Sequence, residues 1–303
     1  MKIDSFAAFV AEARKTGRRL WEVALADQSA DSGQSPDETL GRMARVLHVM
    51  REALSQYDPA ARSESGLSGG AAARLRGAAA AGRTLSGPFL SDVMSRALMM
   101  AEMNACMGRI VAAPTAGSCG VLPSVILSAC EHLRLPEEAA VHALLTAGGV
   151  GVIIASRATL SGAEGGCQAE VGSASAMAAA ALVEMMGGTP EMSEHACAIA
   201  LSNLMGLICD PVAGRVEAPC ATRNVIGAVG AVAAAEMALG GIAYPVPADE
   251  VIDAMGRVGA SLPPALRETG EGGLAATPTG RKIHERLATR RAGGDEANSQ
   301  RAN

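Results

Sequence analysis

Residues 91–110, 121–134 and 137–160 are apolar runs of helical length separated by glycine-rich loops, and no alternating pattern of strand length persists along the chain. From residue 111 to 209 only ten residues are Asp, Glu, Lys or Arg, about half the density of the whole chain, which marks this stretch as the central core. The 303 residues include three Phe, two Tyr and one Trp, against 35 Gly. A core so poor in rings must be built from small aliphatic side chains and Met, which favours closely approaching helices over packed sheets. The expected fold is all-α, a compact multi-helix domain with Gly-rich loops.

Local signals place several elements. Ile3, Phe6, Phe9, Val10, Leu20, Trp21 and Val23 suit a short helical hairpin over residues 1–25. Ser35-Pro36-Asp37-Glu38 is a helix start: Ser35 caps, Pro36 suits the first turn and Glu38 completes a capping box. Leu40, Met43, Leu47, Met50 and Leu54 then follow as an amphipathic stripe. Thr189-Pro190-Glu191 opens a helix expected to run towards Cys209 and to stop at Asp210-Pro211. Ala248 to Val258 reads as a surface helix, and residues 263–280 as a long polar, Gly-rich loop.

Several function classes are excluded. The net charge is −5, with no basic block in the body of the chain and few rings to stack on bases, so no nucleic acid is expected as a partner. Val225 to Val246 carries a single charge, Glu236, but its Ala and Gly content marks a buried core helix, and no membrane association is expected. Asp4, Glu12 and Arg14 interrupt the first apolar stretch, so no signal peptide is read there. Seven cysteines spread over a large domain suit a reducing cytoplasm better than a disulfide framework. Gly149-Val150-Gly151 is read as small residues at a helix contact, since Ile154 breaks the dinucleotide fingerprint. No Gly-Lys-Ser/Thr triplet exists, and Ala116 before Ser118 spoils a nucleophile elbow. His48, His132, His142, His195 and His284 lack metal-type spacing and read as surface or satisfied core residues. The three lysines, Lys2, Lys15 and Lys282, lie outside the apolar core, which argues against pyridoxal phosphate.

The cysteines divide into two groups. Cys106, Cys130 and Cys197 lie among apolar helical residues, where cysteine packs as a small hydrophobe, and Cys119 lies in a Gly-rich loop without a partner in sequence. Cys167, Cys209 and Cys220 each sit at a backbone break, in Gly165-Gly166-Cys167, Cys209-Asp210-Pro211 and Pro219-Cys220. Glycine and proline there are expected to let backbone and sulfur approach a bulky inorganic group. Spacings of 42 and 11 residues are not a compact cluster signature, so the residues alone leave open a three-thiolate site or three buried thiols.

Four segments carry a resemblance: APTAGSCGVLPSVI at 113–126, SGAEGGCQAEVGSASAMAAAALVEMMGGTPE at 161–191, NLMGLICDPVAGRVEAPCATRN at 203–224 and ALRETGEGGLAATPTGR at 265–281. In these the chain resembles the α chain of iron-sulfur-dependent L-serine dehydratases. The resemblance implies a 4Fe-4S cluster held by Cys167, Cys209 and Cys220, with one iron left without a thiolate to act as a Lewis acid on the serine hydroxyl. It implies an L-serine ammonia-lyase forming pyruvate and ammonia, or the same chemistry on L-threonine, L-cysteine or another β-substituted amino acid. A non-enzymatic helical membrane or scaffold protein would leave the three Gly/Pro-flanked cysteines unexplained. Ser65, Ser68, Thr115, Ser118, Thr277 and Thr279, with neighbouring backbone N–H groups, are candidates to bind the substrate carboxylate, their alternative role being turns and caps.

The chain departs from the family in its first loop. Where family members often read Ser-Lys-Ser/Thr-Gly-Leu-Thr-Gly-Gly-Asp, it reads Ser63-Glu64-Ser65-Gly66-Leu67-Ser68-Gly69-Gly70-Ala71. It also lacks the Ser-Ser-Ser-His-Thr segment of single-chain relatives and their terminal cysteine, ending at Asn303. A separate β chain that completes the active site is therefore expected, in an oligomer. The expected organisation is one helical catalytic domain over 1–290, with N-terminal helices at 1–60 and the cluster-binding core at 61–290, followed by a disordered tail at 291–303.

Overall fold

Capping chemistry decides where the helices begin. In the computed structural model, which describes the backbone of residues 3–301 and the side chains of residues 3–290, the N-terminal hairpin is α1 (Phe6–Thr16) and α2 (Leu20–Ser32). The third helix, α3 (Pro36–Ser55), starts at the expected capping box: Glu38 N–H donates to Ser35 Oγ at 3.2 Å, and Ser35 N–H donates to Glu38 Oε2 at 2.8 Å. Then come α4 (Ala71–Ala80), α5 (Pro88–Ala105), α6 (Val121–Leu133) and α7 (Glu137–Arg157). A single turn, α8 (Gly162–Gly165), precedes α9 (Ser173–Met185), α10 (Pro190–Asn203), α11 (Cys220–Leu239), α12 (Ala248–Ser261) and α13 (Pro278–Arg301). The described residues form no strand, and the fold is all-α.

The axle of the molecule is α9. Every residue from Ser173 to Glu184 is buried, and α6, α7, α10 and α11 pack around it. Its Ala178-Ala179-Ala180-Ala181 run lets these neighbours approach from all sides, which accounts for a large core with so few rings. The Gly149-Val150-Gly151 stretch is a helix contact, as expected: a Cβ on Gly149 would lie 3.0 Å from Phe9 of α1, and one on Gly151 2.9 Å from Met177 of α9. Of the run 225–246 expected as a buried core helix, residues 225–239 belong to α11, which buries Ala228, Ala231, Val232 and Ala235 against the core, while 240–246 lie past its last residue, Leu239, and none of them is buried. By length and composition α7 is long and apolar enough to cross a membrane, and 61% of its apolar window is buried within the protein.

One helix ends earlier than the sequence led to expect, and one starts by a device the sequence did not signal. The helix opened by Thr189 ends at Asn203, short of Cys209, because Gly206 takes up a left-handed conformation (φ 87°) and its N–H turns to donate to Gln168 Oε1 at 2.8 Å. The short helix α4 carries no capping residue of its own. Its first N–H groups, Ala71 and Ala72, donate to the buried Glu102 carboxylate of α5 at 2.6 and 3.4 Å. The loop expected over 263–280 spans 263–277, containing two short turns, because α13 already begins at Pro278. The expected tail, 291–303, lies outside the residues whose side chains are described.

Candidate active site

Cys167, Cys209 and Cys220 come from three separate segments, and each is held by hydrogen bonds from elsewhere. Cys167 lies between α8 and a π-helical turn, Gln168–Gly172, that runs into α9. The buried Gln168 secures that turn: its N–H donates to Leu207 O at 2.9 Å and its Nε2 to Gly165 O at 2.8 Å. Cys209 pairs with the 266–268 strand of loop, donating its N–H to Leu266 O at 2.9 Å and accepting from Glu268 N–H at 2.8 Å. Cys220 opens α11, where the buried Asn224 donates to Cys220 O at 3.0 Å and to Gly117 O at 2.8 Å and accepts from Gly120 N–H at 2.8 Å.

All three side chains are buried, at 3%, 4% and 8% exposure, and none is in a disulfide. Burial pushes the Cys167 thiol up to about 11, and pushes Cys220 to about 12 with a further rise from the Cys167 charge. Cys209 is likewise raised, first by burial and then by the charges of Cys167, Glu170, Glu268 and Cys220. Cys119 and Cys197 are also raised by burial, but with no neighbouring cysteine as a cause. Cys167 and Cys209 lie in one buried cluster with Val171, and the Cys167 charge acts on both Cys209 and Cys220, so a positive centre among the three relieves repulsion between their thiolates. Among the described residues, no three or more His, Cys, Asp or Glu side chains stand as a chelate for one metal ion. A polynuclear cluster takes its thiolates farther apart than a single ion does, and the donor set of three convergent, buried, unpaired thiols fits such a group.

Charged and polar side chains frame the thiols. Arg223 lies beside Cys167 and lowers its thiol, while donating to Ile208 O at 2.9 Å and to Asp210 Oδ1 at 2.8 Å. The buried Asp210 also accepts from Leu274 N–H at 2.7 Å, fixing the 273–276 turn to the Cys209 segment. Glu170, half-buried, accepts from the Thr115 hydroxyl at 2.7 Å, and burial raises its carboxyl above the ordinary range.

The structure distributes the six predicted hydroxyl residues unevenly. Thr115 and Ser118 stand at the site, their hydroxyls 3.2 Å apart beside Glu170. Ser65 donates to the buried Glu217 carboxylate at 2.8 Å, as does Ser63 at 2.5 Å, which fixes the first Gly-rich loop to the segment just before Cys220. Ser68 is buried, its N–H donating to Ser63 Oγ at 3.1 Å. Thr277 caps α13 by accepting from Gly280 N–H at 3.1 Å, and Thr279 is exposed on its first turn.

One glycine beside Cys167 is required by the packing of the protein itself. A Cβ on Gly166, where φ is 77°, would lie 2.7 Å from Leu262 and 2.9 Å from Leu207 O, so this glycine admits neighbouring protein that positions the cysteine. Sequence reasoning did not single out Glu170, Asp210, Glu217, Arg223 or Asn224, although all five lie within or beside the quoted motifs. The available signal was polar residues inside otherwise apolar stretches next to the three cysteines. The histidines have packing roles where contacts are defined: His142 stacks on Trp21 with centroids 3.6 Å apart, and His195 Nδ1 accepts from Tyr244 N–H at 3.4 Å.

The sequence of these segments is similar to that of known proteins. The serine dehydratase alpha chain family matches residues 15–275. A probable L-serine dehydratase alpha chain of Bacillus subtilis (strain 168) is 49% identical over 266 residues, covering 88% of this chain and 89% of the relative. The L-serine dehydratase alpha chain of Peptoniphilus asaccharolyticus is 44% identical over 271 residues, covering 88% and 92%. An L-serine dehydratase of Streptomyces coelicolor is 38% identical over 270 residues, covering 87% of this chain but 58% of the relative, which has a further stretch unmatched here. With likeness of this extent running through every segment that builds the thiol site, the chain belongs to the serine dehydratase alpha chain family.

Proposed function

We propose that the chain is the catalytic, cluster-binding subunit of an L-serine ammonia-lyase. The observation that carries this reading is the convergence of the buried thiols of Cys167, Cys209 and Cys220 in a member of this family. A 4Fe-4S cluster held by these three cysteines supplies, when bound, an iron without a thiolate that polarises the β-hydroxyl of serine as a leaving group. The elimination removes the Cα proton and the β-hydroxyl as water, and the resulting aminoacrylate tautomerises and hydrolyses to pyruvate and ammonia. The chain's own residues keep water from the thiols by burying them, and Arg223 sets a fixed positive charge beside the Cys167 sulfur. Asn224 and Asp210 hold the Cys220 and Cys209 segments in register with the 117–120 and 273–276 loops. Lys15 and Lys282 are both exposed, which supports a reaction without pyridoxal phosphate.

The alpha-chain names of the relatives, and the unmatched length of the Streptomyces coelicolor protein, support a separate β chain that completes the site. Seven unpaired thiols support a reducing, cytoplasmic setting. Anaerobic reconstitution with iron and sulfide, with and without a candidate β chain, should give a brown protein that forms pyruvate from L-serine faster than from L-threonine or L-cysteine. Iron-free protein with undiminished activity overturns the cluster reading, and a preference for another β-substituted amino acid overturns the substrate assignment.

A further inference from the structure

Glu170, half-buried, receives fewer hydrogen bonds from the protein than the buried carboxylates Glu217 and Glu102. Glu217 accepts from two serine hydroxyls, and Glu102 accepts from Tyr57 and two backbone N–H groups. Glu170 Oε1 accepts from Thr115 alone, and among the described residues no donor reaches Oε2. The charges acting on the three thiols and on Glu170 are mostly negative, coming from the cysteines themselves, Glu170 and the exposed Glu268. The nearby guanidinium, Arg223, is engaged by Asp210 and Ile208 O. Glu170 is only half-buried and its Oε2 is not sealed from solvent, so a ligand cation can reach the unmatched oxygen and make a charge-assisted hydrogen bond to it.

The backbone keeps space around this carboxylate. A Cβ on Gly117 would lie 2.8 Å from Glu170 Oε1, and one on Gly162 would lie 2.6 Å from Oε2 and 3.4 Å from Cys209 Sγ. The unmatched oxygen and the Cys209 sulfur therefore border the same glycine. Thr115, itself within 3.2 Å of Ser118 Oγ, fixes the other oxygen and with it the orientation of the group.

We propose that Glu170 holds the α-ammonium of the amino-acid substrate through this free oxygen, beside the thiol site. The inference rests on the dehydratase reading above and adds to it the residue that selects a 2-amino acid. Serine gripped there by its ammonium lies next to the thiols with its hydroxyl free for the chemistry.

The test uses the reconstituted holoenzyme and two ligands that differ in one group, L-serine and 3-hydroxypropionate, which is serine without its amino group. Dissociation constants come from the change each ligand causes in the visible circular dichroism of the cluster, alongside KM, kcat and iron content. Glu170→Gln should weaken L-serine binding and raise its KM by about 10- to 100-fold, with 3-hydroxypropionate binding and iron content unchanged. Glu170→Asp, which keeps the charge, should fall between the two. Equal weakening of both ligands, no weakening of either, or loss of iron from Glu170→Gln overturns the proposal. Wild-type holoenzyme that forms no pyruvate from L-serine overturns the dehydratase reading instead, so the two failures are distinct.

Discussion

Two glutamates sit near opposite ends of the central helix, roughly 20 Å apart along its axis, and the protein treats them in opposite ways. At the C-terminal end Glu184, 7% exposed, accepts from the Thr146 hydroxyl, from Trp21 N–H at 3.3 Å and from Arg19 Nε at 3.3 Å. Arg19 also donates to the Glu184 carbonyl. These bonds fasten the N-terminal hairpin to α7 and α9. At the other end, on the π-helical lead-in, Glu170 has Thr115 and an unmatched oxygen. A carboxylate whose role is structural is surrounded by donors, because a buried acceptor left unmade costs more than a made one returns. On our proposal, the solvent-accessible oxygen of Glu170, beside the three unpaired thiols, is where the substrate ammonium supplies the remainder.

The largest effect should separate a cysteine of the thiol site from a cysteine of the helical core. Cys220→Ser should lose most of its iron and at least about 100-fold of its activity, with the melting temperature of the metal-free protein little changed. Cys197→Ser, in the core of α10, should keep iron and activity per folded molecule but lose about 1–3 kcal/mol of stability by burying a hydroxyl. Iron analysis and thermal melts on both variants check the contrast. Next in size, Glu184→Ala should cost about 3–5 kcal/mol in urea unfolding, because it leaves Arg19, Trp21 N–H and Thr146 unmatched in a buried place. KM for L-serine should stay within about twofold, the reverse of the pattern expected for Glu170→Gln. Smaller again, Ala179→Leu should overfill the packed axle and cost about 1–3 kcal/mol, with loss of stability preceding any loss of cluster.

The two ends also differ in how far the sequence disclosed them. The α3 start was legible because Ser35 and Glu38 meet across one turn, and Gly149-Val150-Gly151 because small residues in an apolar helix have few uses besides close contact. The end of α10 was not, since it is set by Gln168, 38 residues earlier in the chain. Nor was the start of α4, which depends on Glu102 reaching back from the next helix. Cys167, Cys209 and Cys220 were visible as cysteines at backbone breaks, and their convergence on one site was implied only by resemblance. Glu170 looks in sequence like any acidic residue near a helix start. Its character comes from Thr115, Gly117 and Gly162, which only the tertiary fold brings to its carboxylate.

The smallest expected effect concerns pH at the structural end. Burial raises the Glu184 carboxyl above its ordinary value of 4.5, and the donors around it offset only part of that rise. The native state therefore binds this proton more tightly than the unfolded chain does. The stabilisation this provides is fully present below about pH 4.5 and is lost as pH rises through the higher folded value. At neutral pH the ionised group is held at a cost relative to water, even though its removal is costlier still. Glutamine does not titrate, so the stability difference between wild type and Glu184→Gln isolates this group. That difference should move in favour of the wild type as pH falls from 7 to 5, by less than about 1.4 kcal/mol per pH unit. Urea unfolding of both proteins across this range checks it. A difference moving the other way would mean that Arg19 and Thr146 outweigh burial, making Glu184 a carboxylate better solvated by the protein than by water.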